Sequence, residues 1–313
     1  MRAWLQVNKV SRSYGSVKAL DHISFTAEQG SVTALLGRNG AGKSTLMNIL
    51  TGYLSMSGGE VILGGKNITE DPVAARRQIG YLPETPPLYA DMTVEEYLRY
   101  CARLKRLPSS GIRKEVWRVL EVTGLSDHAG RLTGHLSKGY RQRTGLAQAL
   151  IGDPPLLILD EPGSGLDPMQ MIGMRELIRT AGKEKTVLLS SHILGEVTGI
   201  CSRALVLNQG RLCFDGPMGH LIGNRNVLLV SIRSSFDPAP LLSGLEGVVR
   251  LERKGGDNTR YDYRLFCAPD ADVRENVFRM CAARDAVLLE MVQEMGTLED
   301  AFVKLTGNGE ETR

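Results

Sequence analysis

Continuously apolar runs of strand length recur along the chain, separated by longer stretches in which apolar and polar residues alternate with helical spacing. Residues 31–36, 156–159 and 186–189 are such runs, and each is followed by glycine or by a polar residue. An uninterrupted apolar run is expected of a strand that is covered on both faces, as in the centre of a parallel sheet. Residues 4–10 alternate instead, which predicts a further strand. The pattern therefore predicts an α/β fold.

Amphipathic stretches in the middle of the chain predict a group of helices. Residues 93–107 open with a capping box, and residues 111–122 continue the helical spacing. An Ala/Leu-rich stretch over residues 137–151 predicts a third helix. We therefore expect a helical subdomain over about residues 85–150. Periodicity alone leaves open whether this subdomain docks a partner or only packs.

The composition changes after about residue 225, and the remaining chain predicts a second domain. Strands are predicted at 227–232, 248–251, 261–267 and 286–292, and helices at 271–283 and from Thr297. We expect a first domain over residues 1–224 and a small C-terminal α+β domain over residues 225–313. The second domain shows no catalytic constellation.

A glycine-rich segment follows the first apolar run and precedes a helical one. It reads Gly37-Arg38-Asn39-Gly40-Ala41-Gly42-Lys43-Ser44-Thr45, which fits the phosphate-loop pattern G-x-x-x-x-G-K-[ST] at every required position. Successive backbone N–H groups of such a loop form an anion nest at the positive end of the helix. We expect Lys43 to bridge the terminal phosphates of a nucleotide and Ser44 to bind Mg²⁺. A chance Lys-Ser in a glycine-rich turn does not account for the strand and helix on either side.

Polar residues end the other two buried runs. Asp160 and Glu161 follow residues 156–159, and His192 follows residues 186–189 after two serines. Asp160 is placed to hold Mg²⁺ through water, and Glu161 to polarise an attacking water as a general base. A ring N–H of His192 would reach a γ-phosphate from such a strand end. Taken singly, the acids could instead begin a helix, and the histidine could be an ordinary polar strand end.

Three further residues are candidates for the nucleotide site because of where they lie in predicted turns, strands and helices. Residues 11–15 predict a turn with Tyr14 at its tip, where a nucleobase could stack, although packing is the commoner role of such a tyrosine. Residues 79–84 predict a strand that delivers Glu84 to a loop. Ser137 lies where a helix begins, so it either helps to bind phosphate or simply caps the helix.

Composition and charge narrow the class of protein. The 313 residues are 42% hydrophobic and 23% charged, which is ordinary for a soluble globular protein, and the net charge of +3 is too small to indicate a nucleic-acid partner. The five cysteines are scattered without metal-ligand spacing, so we expect neither zinc nor a disulfide. No apolar run reaches the roughly 18–20 residues of a membrane span, and the N-terminus lacks the apolar core of a signal peptide. We therefore expect a cytoplasmic protein.

In their order and spacing, these motifs resemble those of the ATP-binding cassette (ABC) family over about residues 4–220. The resemblance implies a P-loop ATP-binding cassette with a helical subdomain, followed here by the small α+β domain. The residues that it implies for ATP binding are Tyr14, which would stack on adenine, and Gly37, Asn39, Gly40, Gly42, Lys43, Ser44, Thr45, Ser137, Gly139 and Asp167. It implies catalytic roles for Glu161, His192 and Lys43. It implies Mg²⁺ binding by Ser44, Glu84 and Asp160.

Two positions depart from the family pattern. Glu84 stands where the family has the Q-loop glutamine, which keeps a side-chain oxygen for Mg²⁺ but adds a charge. The signature reads Leu-Ser-Lys-Gly-Tyr instead of Leu-Ser-Gly-Gly-Gln, with Ser137 and Gly139 retained. These variants are similar to those in cassettes of bacterial exporters of the multidrug and gliding-motility type.

The resemblance also implies partners and a location. Two cassettes of the family meet head to tail around ATP, and because this chain carries every motif, a homodimer is the simplest assembly. We expect a separate integral-membrane permease, no nucleic acid, and a position on the inner face of the cell membrane. We expect the C-terminal domain to support the dimer or to regulate it.

Two other functions remain as alternatives. A soluble cassette ATPase that acts on DNA or ribosomes is disfavoured by the single cassette and the near-neutral charge. A nucleotide-binding regulator without turnover is disfavoured by the presence of Glu161.

Overall fold

The computed structural model describes residues 3–222, 227–257, 259–268, 271–294 and 298–307. Contacts divide the chain into two compact units. The first comprises Met1–Met218 together with Leu305–Arg313, and the second comprises Gly219–Lys304. Within the described residues, no helix combines the length and the apolar character needed to cross a bilayer.

Strands and helices alternate along the first unit. Its strands are β1 (Ala3–Tyr14), β2 (Val17–Glu28), β3 (Val32–Leu36), β4 (Gly58–Leu63), β5 (Lys66–Asn67), β6 (Ile79–Leu82), β7 (Leu156–Asp160), β8 (Thr186–Ser191), β9 (Arg203–Asn208) and β10 (Arg211–Pro217). Its helices are α1 (Lys43–Leu50), α2 (Pro72–Arg77), α3 (Val94–Leu104), α4 (Ser109–Val122), α5 (Lys138–Leu150), α6 (Pro168–Gly182) and α7 (Leu194–Val197), and α8 (Met218–Ile222) follows them.

The central element of the first unit is a six-stranded sheet in the order β10-β9-β3-β8-β7-β6. Strands β9, β3, β8, β7 and β6 are parallel, and β10 pairs with β9 in the antiparallel sense. Every residue of β3, β7 and β8 is buried, as the continuous apolar runs predicted. Because the carboxyl ends of parallel strands meet at one edge, the polar residues that follow these strands converge there.

A second, antiparallel sheet in the order β2-β1-β4-β5 shares a core with α1 and the parallel sheet. Leu5 of β1, Leu46 of α1 and Ile158 of β7 belong to this one buried cluster. The predicted turn at residues 11–15 is wrong in position, because β1 continues through Tyr14. Its last residues pair with β2 across several register shifts, which let the strand bend without ending.

Helices α3, α4 and α5, from the middle of the first unit's sequence, pack on one another. The predicted capping box is confirmed at the start of α3. Thr93 Oγ1 accepts the N–H of Glu96 at 3.2 Å, and the Glu96 carboxylate accepts the N–H of Thr93 at 2.8 Å. Helix α5 begins directly after Ser137, as predicted, but the Ser137 hydroxyl makes no capping hydrogen bond.

The second unit has the order β-α-β-β-α-β. It consists of β11 (Val227–Arg233), α9 (Ala239–Ser243), β12 (Val248–Gly256), β13 (Arg260–Cys267), α10 (Arg274–Ala283) and β14 (Val287–Glu294). Helix α11 (Leu298–Gly307) comes last, and its residues from Leu305 onward belong to the first unit. Its strands are antiparallel in the order β12-β13-β11-β14, which is the ferredoxin-like arrangement. Val230, Tyr263 and Val277 belong to its separate core. Thr297, where we predicted the last helix to begin, lies outside the described residues.

Candidate active site

The glycine-rich segment connects β3 to α1 at the carboxyl edge of the parallel sheet. Gly42 precedes the helix with a φ of 106°, and a Cβ there would lie 2.8 Å from the carbonyl oxygen of Ala19. Only glycine satisfies both the conformation and the space. No side chain caps α1, so its first N–H groups remain available for an anionic ligand.

Lys43 is a buried cation at the start of α1. Its side chain is 7% exposed, and Nζ donates to the carbonyl oxygens of Gly37 at 2.8 Å and Arg38 at 3.4 Å. Burial lowers the pKa of Lys43, and the nearby carboxylates of Glu161, Asp160 and Glu84 oppose that shift. A multiply charged anion at this position would supply the partner that neutral carbonyls do not.

An open cavity of about 420 Å³ lies beside Lys43. Its lining residues come from β2, from the loop with the start of α1, and from the segments after three strands: Ala19, Asn39, Gly40, Gly42, Lys43, Ser44, Thr45, Glu84, Glu161 and His192. The structure therefore brings together most of the residues that the sequence predicted for one nucleotide site. Gly37 lies behind the cavity, where its carbonyl oxygen holds Lys43.

The two acids at the end of β7 have different environments. Asp160 is the last residue of β7, and Glu161 follows with a left-handed φ of 48°. Helix α6 begins only at Pro168, so the acids do not cap a helix. Burial raises the pKa of Asp160, a hydrogen bond from Ser190 opposes that shift, and the charges of Glu161 and Glu84 add to it.

His192 and Glu161 form a hydrogen-bonded pair. His192 Nδ1 lies 2.7 Å from Glu161 Oε2, and the backbone N–H of His192 donates to the same oxygen at 3.4 Å. A bond between the ring and an ionised carboxylate places the proton on Nδ1. The ring therefore orients Glu161 and leaves Nε2 for another contact.

The oxygen donors at the site suit Mg²⁺. Ser44 and Glu84 line the cavity. Asp160 is buried, close enough for its charge to raise the pKa of Lys43. Within the described ranges, no group of three or more His, Cys, Asp and Glu side chains forms a complete metal cage. Mg²⁺ commonly binds through one or two protein oxygens together with phosphate and water, so the donors present fit this ion.

Besides Gly37 and Asp160, four predicted site residues lie outside the cavity lining. Tyr14 is 48% exposed at the end of β1, with the Arg12 guanidinium 4.9 Å from its ring centre. Ser137 and Gly139 lie at the start of α5. Asp167 caps α6 by accepting the N–H of Gln170 at 2.8 Å.

The start of α5 and the start of α6 are in close contact. A Cβ on Gly139 would lie 2.5 Å from the side chain of Gln170, the residue that completes the capping box with Asp167. The structure therefore joins these two predicted motifs to each other and not to the cavity.

Sequence reasoning missed three residues of the site. Ser190 bonds to both acids, Ala19 of β2 lines the cavity, and the buried Gln142 of α5 donates to the carbonyl oxygen of Glu84 at 2.7 Å. A polar residue inside a buried helix face was the available signal for Gln142. A serine at a strand end and an alanine in an alternating strand are too common to be signals.

Comparison with known proteins identifies relatives along nearly the whole chain. The family model described as ABC transporter matches residues 20–164. The bacitracin transport ATP-binding protein BcrA of Bacillus licheniformis is 32% identical, with 99% of both chains covered. The Nod factor export ATP-binding protein I of Paraburkholderia xenovorans is 32% identical, with 97% of both chains covered.

Solved structures agree with these relatives. One, described as the ATP-binding subunit of an ABC transporter, superposes with a TM-score of 0.64 at 32% identity and covers 70% of this chain and 91% of its own. Another, cbiO1 from Clostridium perfringens, superposes with a TM-score of 0.63 at 31% identity and covers 69% and 89%. The resemblance inferred from the motifs and the cassette fold are thereby confirmed. The chain belongs to the ATP-binding proteins of ABC transporters and is an ATPase of that family.

Proposed function

We propose that this chain is the ATP-hydrolysing subunit of a membrane exporter and that Glu161 is its general base. The observation that carries the proposal is the Glu161–His192 pair, which faces the same cavity as Lys43 and the phosphate loop. A base, an orienting imidazole and a phosphate-binding cation thus share one site. Export is proposed because the relatives with nearly full coverage include an export protein.

The hydrolytic step follows from the positions of these groups. The phosphate loop and Lys43 hold the β- and γ-phosphates, and Glu161 receives a proton from the attacking water. The new bond joins the water oxygen to the γ-phosphorus, and the bond to the β-phosphate oxygen breaks to release ADP. His192 keeps the Glu161 carboxylate directed at the water and, when protonated, presents Nε2–H to the γ-phosphate.

Ser44, Glu84 and Asp160 are proposed to hold Mg²⁺. The ion would neutralise charge that develops on the phosphates in the transition state. On the nucleoside side, we propose that the exposed ring of Tyr14 stacks on adenine, with the adjacent Arg12 adding positive potential.

We propose that two copies of the chain enclose two ATP molecules. Ser137, Gly139 and Asp167 lie outside the cavity of their own chain, so they are free to complete the site of a second copy. In a head-to-tail pair, the N–H groups at the start of α5 would face the γ-phosphate from the opposite side and exclude water. ATP binding then favours the closed pair, and hydrolysis releases it.

A groove of about 340 Å³ is the proposed docking surface of the permease. Its lining includes Glu84, Leu88 and Gln142, and Glu84 also lines the nucleotide cavity. The Oε1 atom of Gln142 is buried beneath it and has no hydrogen-bond partner among the described residues. The shared Glu84 links the nucleotide to the partner, and docking would place the chain on the inner face of the membrane.

Replacement of Glu161 by glutamine tests the catalytic assignment. We expect Glu161→Gln to bind ATP with unchanged affinity and to lose most of its hydrolysis, by about 10²–10⁴-fold, because the amide cannot accept the proton. Phosphate release and equilibrium binding of ATP measure the two properties separately. Turnover near that of the parent would refute the role of Glu161.

The same variant tests the transporter assignment. We expect Glu161→Gln, isolated from the native membranes with ATP and Mg²⁺, to bring with it a multi-spanning membrane protein. The double variant with Leu88→Glu is the matched control, because it places a charge in the groove without touching the ATP cavity. Recovery of ribosomes or DNA-processing proteins, with no membrane protein, would favour the soluble ATPase instead.

A further inference from the structure

Ser190 lies between the two acids of the site, on the neighbouring strand. Asp160 and Ser190 are paired residues of β7 and β8, so their side chains stand side by side. Ser190 Oγ donates to Asp160 Oδ1 at 2.5 Å and accepts the backbone N–H of Glu161 at 2.9 Å. One hydroxyl group thus joins the residue proposed for Mg²⁺ to the residue proposed as base.

These three residues are shielded from water. Ser190 is 0% exposed, Asp160 is 7% exposed and Glu161 is 8% exposed. In such an environment, water does not readily replace a lost hydrogen bond, so removal of the hydroxyl leaves an N–H and a carboxylate oxygen short of a partner. We expect the Glu161 backbone and the Asp160 carboxylate to shift until each forms another hydrogen bond.

The backbone of Glu161 depends on this contact. Its φ of 48° lies in the left-handed region, which is uncommon for a residue with a side chain and persists only where the surroundings hold it. Ser190 fixes the N–H of Glu161, and His192 fixes its carboxylate, so the end of β8 holds Glu161 at two points. The direction of the carboxylate therefore depends on both.

We propose that Ser190 is a positioning residue for ATP hydrolysis. Its hydroxyl donates to Oδ1 of Asp160, so that Oδ2 would serve Mg²⁺. It also holds Glu161 in the backbone conformation that would aim the carboxylate at the attacking water. The inference rests on the proposed roles of Asp160 and Glu161. Neither role requires Ser190 to touch the nucleotide.

Replacement of Ser190 tests the inference with kinetics and with metal binding. We expect Ser190→Ala to lower kcat by about 10–100-fold and to change the affinity for ATP, measured without divalent cations, by less than about twofold, because the loop and Lys43 are untouched. We expect Mn²⁺, used as a probe and followed by electron paramagnetic resonance in the ADP complex, to bind about tenfold more weakly. Ser190→Thr keeps the hydroxyl and should recover most of both losses.

A buried hydroxyl on the same strand supplies the control. Thr186 is 0% exposed, and its Oγ1 atom has no hydrogen-bond partner within the part of the chain that the structure describes. Thr186→Val removes a hydroxyl without removing a hydrogen bond, so kcat and Mn²⁺ affinity should both stay at the parent values. If Ser190→Ala does not fold, Ser190→Cys, which has similar volume and a weaker donor, takes its place.

The outcomes separate this inference from the proposed function. A fully active Ser190→Ala overturns the inference, and so does an unchanged affinity for Mn²⁺ or an equal loss in Thr186→Val. Glu161→Gln is assayed in parallel. Full hydrolysis in Glu161→Gln would overturn the proposed function itself, whereas loss there beside an active Ser190→Ala overturns only the role of Ser190.

Discussion

In the nucleotide-free protein, ionisation of the buried Asp160 carboxyl group destabilises the fold. Burial is the largest cause of its shift and raises its pKa above the usual 3.8. The folded protein therefore binds this proton more tightly than the unfolded chain does. As the pH rises from 3.8, the pKa of the unfolded chain, through the higher pKa of the folded protein, the free energy of unfolding decreases. Above the folded pKa it decreases no further, because Asp160 is then ionised in both states.

We expect Asp160→Asn to stabilise the nucleotide-free protein at pH 7. Asparagine keeps an oxygen that accepts from Ser190 but removes the buried charge. The midpoint of thermal unfolding should rise by about 2 °C for each kcal/mol that is relieved, and the stabilisation should disappear below about pH 4. Thermal unfolding between about pH 3 and pH 8 measures both effects.

An exposed acid supplies the control for this measurement. Glu70→Gln removes a carboxylate at an exposed position of the same unit, so the unfolding midpoint should stay within about 1 °C. A destabilised Asp160→Asn, with Glu70→Gln unchanged, would contradict the assigned cost. In that case the charge of Asp160 would be compensated within the folded protein.

At the scale of single residues, the sequence predicted which residues have a chemical role better than it predicted which residues contact one another. Lys43, Glu161 and His192 were identified because each ends or follows a recognisable run. Ser190 was not, since its importance comes from a neighbouring strand that lies 30 residues away in the chain. Hydrogen bonds between strands depend on register, which a single sequence does not fix.

The contact between α5 and β6 requires a residue without a side chain. A Cβ on Gly80 of β6 would lie 2.2 Å from the carbonyl oxygen of Ala149 in α5. Because a backbone oxygen cannot rotate away, α5 would have to move. We expect Gly80→Ala to lower the free energy of unfolding by about 1–3 kcal/mol, measured by urea denaturation.

Gly111 in α4 is the matched control. Apart from its chain neighbours and the backbone of its own helix, a Cβ there meets no described heavy atom within 4 Å, and its φ is not positive. Gly111→Ala should raise the free energy of unfolding by up to about 1 kcal/mol, since alanine favours the helix. Equal effects of the two substitutions would show that α5 does not pack as closely as the structure has it.

Elements with strong local signals were predicted well. Helix α3 has its capping box, and β7 has its uninterrupted apolar run. The end of β1 was placed too early, because Ser13 is turn-like in sequence but pairs with Lys18 of β2 in the fold. Tertiary pairing overrides local preference there.

At the scale of the whole molecule, the residues that line the ATP cavity all belong to the first unit. We propose that the second unit is an accessory domain that supports the dimer or regulates it. Excision of residues 219–304, with Met218 joined to Leu305 by a short flexible linker, should leave ATP affinity unchanged. Dimer formation with ATP, ATPase activity and transport should decrease.

Binding of ATP and sedimentation of the Glu161→Gln dimer measure the two sides of this prediction. Full dimer formation, ATPase activity and transport after the excision would refute an accessory role.

The sequence predicted a small α+β domain from its strand and helix order. The ferredoxin-like pairing could not be predicted, because several sheet orders are compatible with the same succession of elements.

The chain enters the second unit after Met218 and returns to the first unit at Leu305, whose carbonyl oxygen accepts from Asn208 Nδ2 of β9 at 3.5 Å. A premature stop codon anywhere in the second unit therefore also removes a contact of β9, the strand whose Leu207 carbonyl packs against Gly37 of the phosphate loop. An in-frame deletion keeps that contact. Nonsense and frameshift alleles are accordingly expected to impair ATP binding more than in-frame deletions of the same domain.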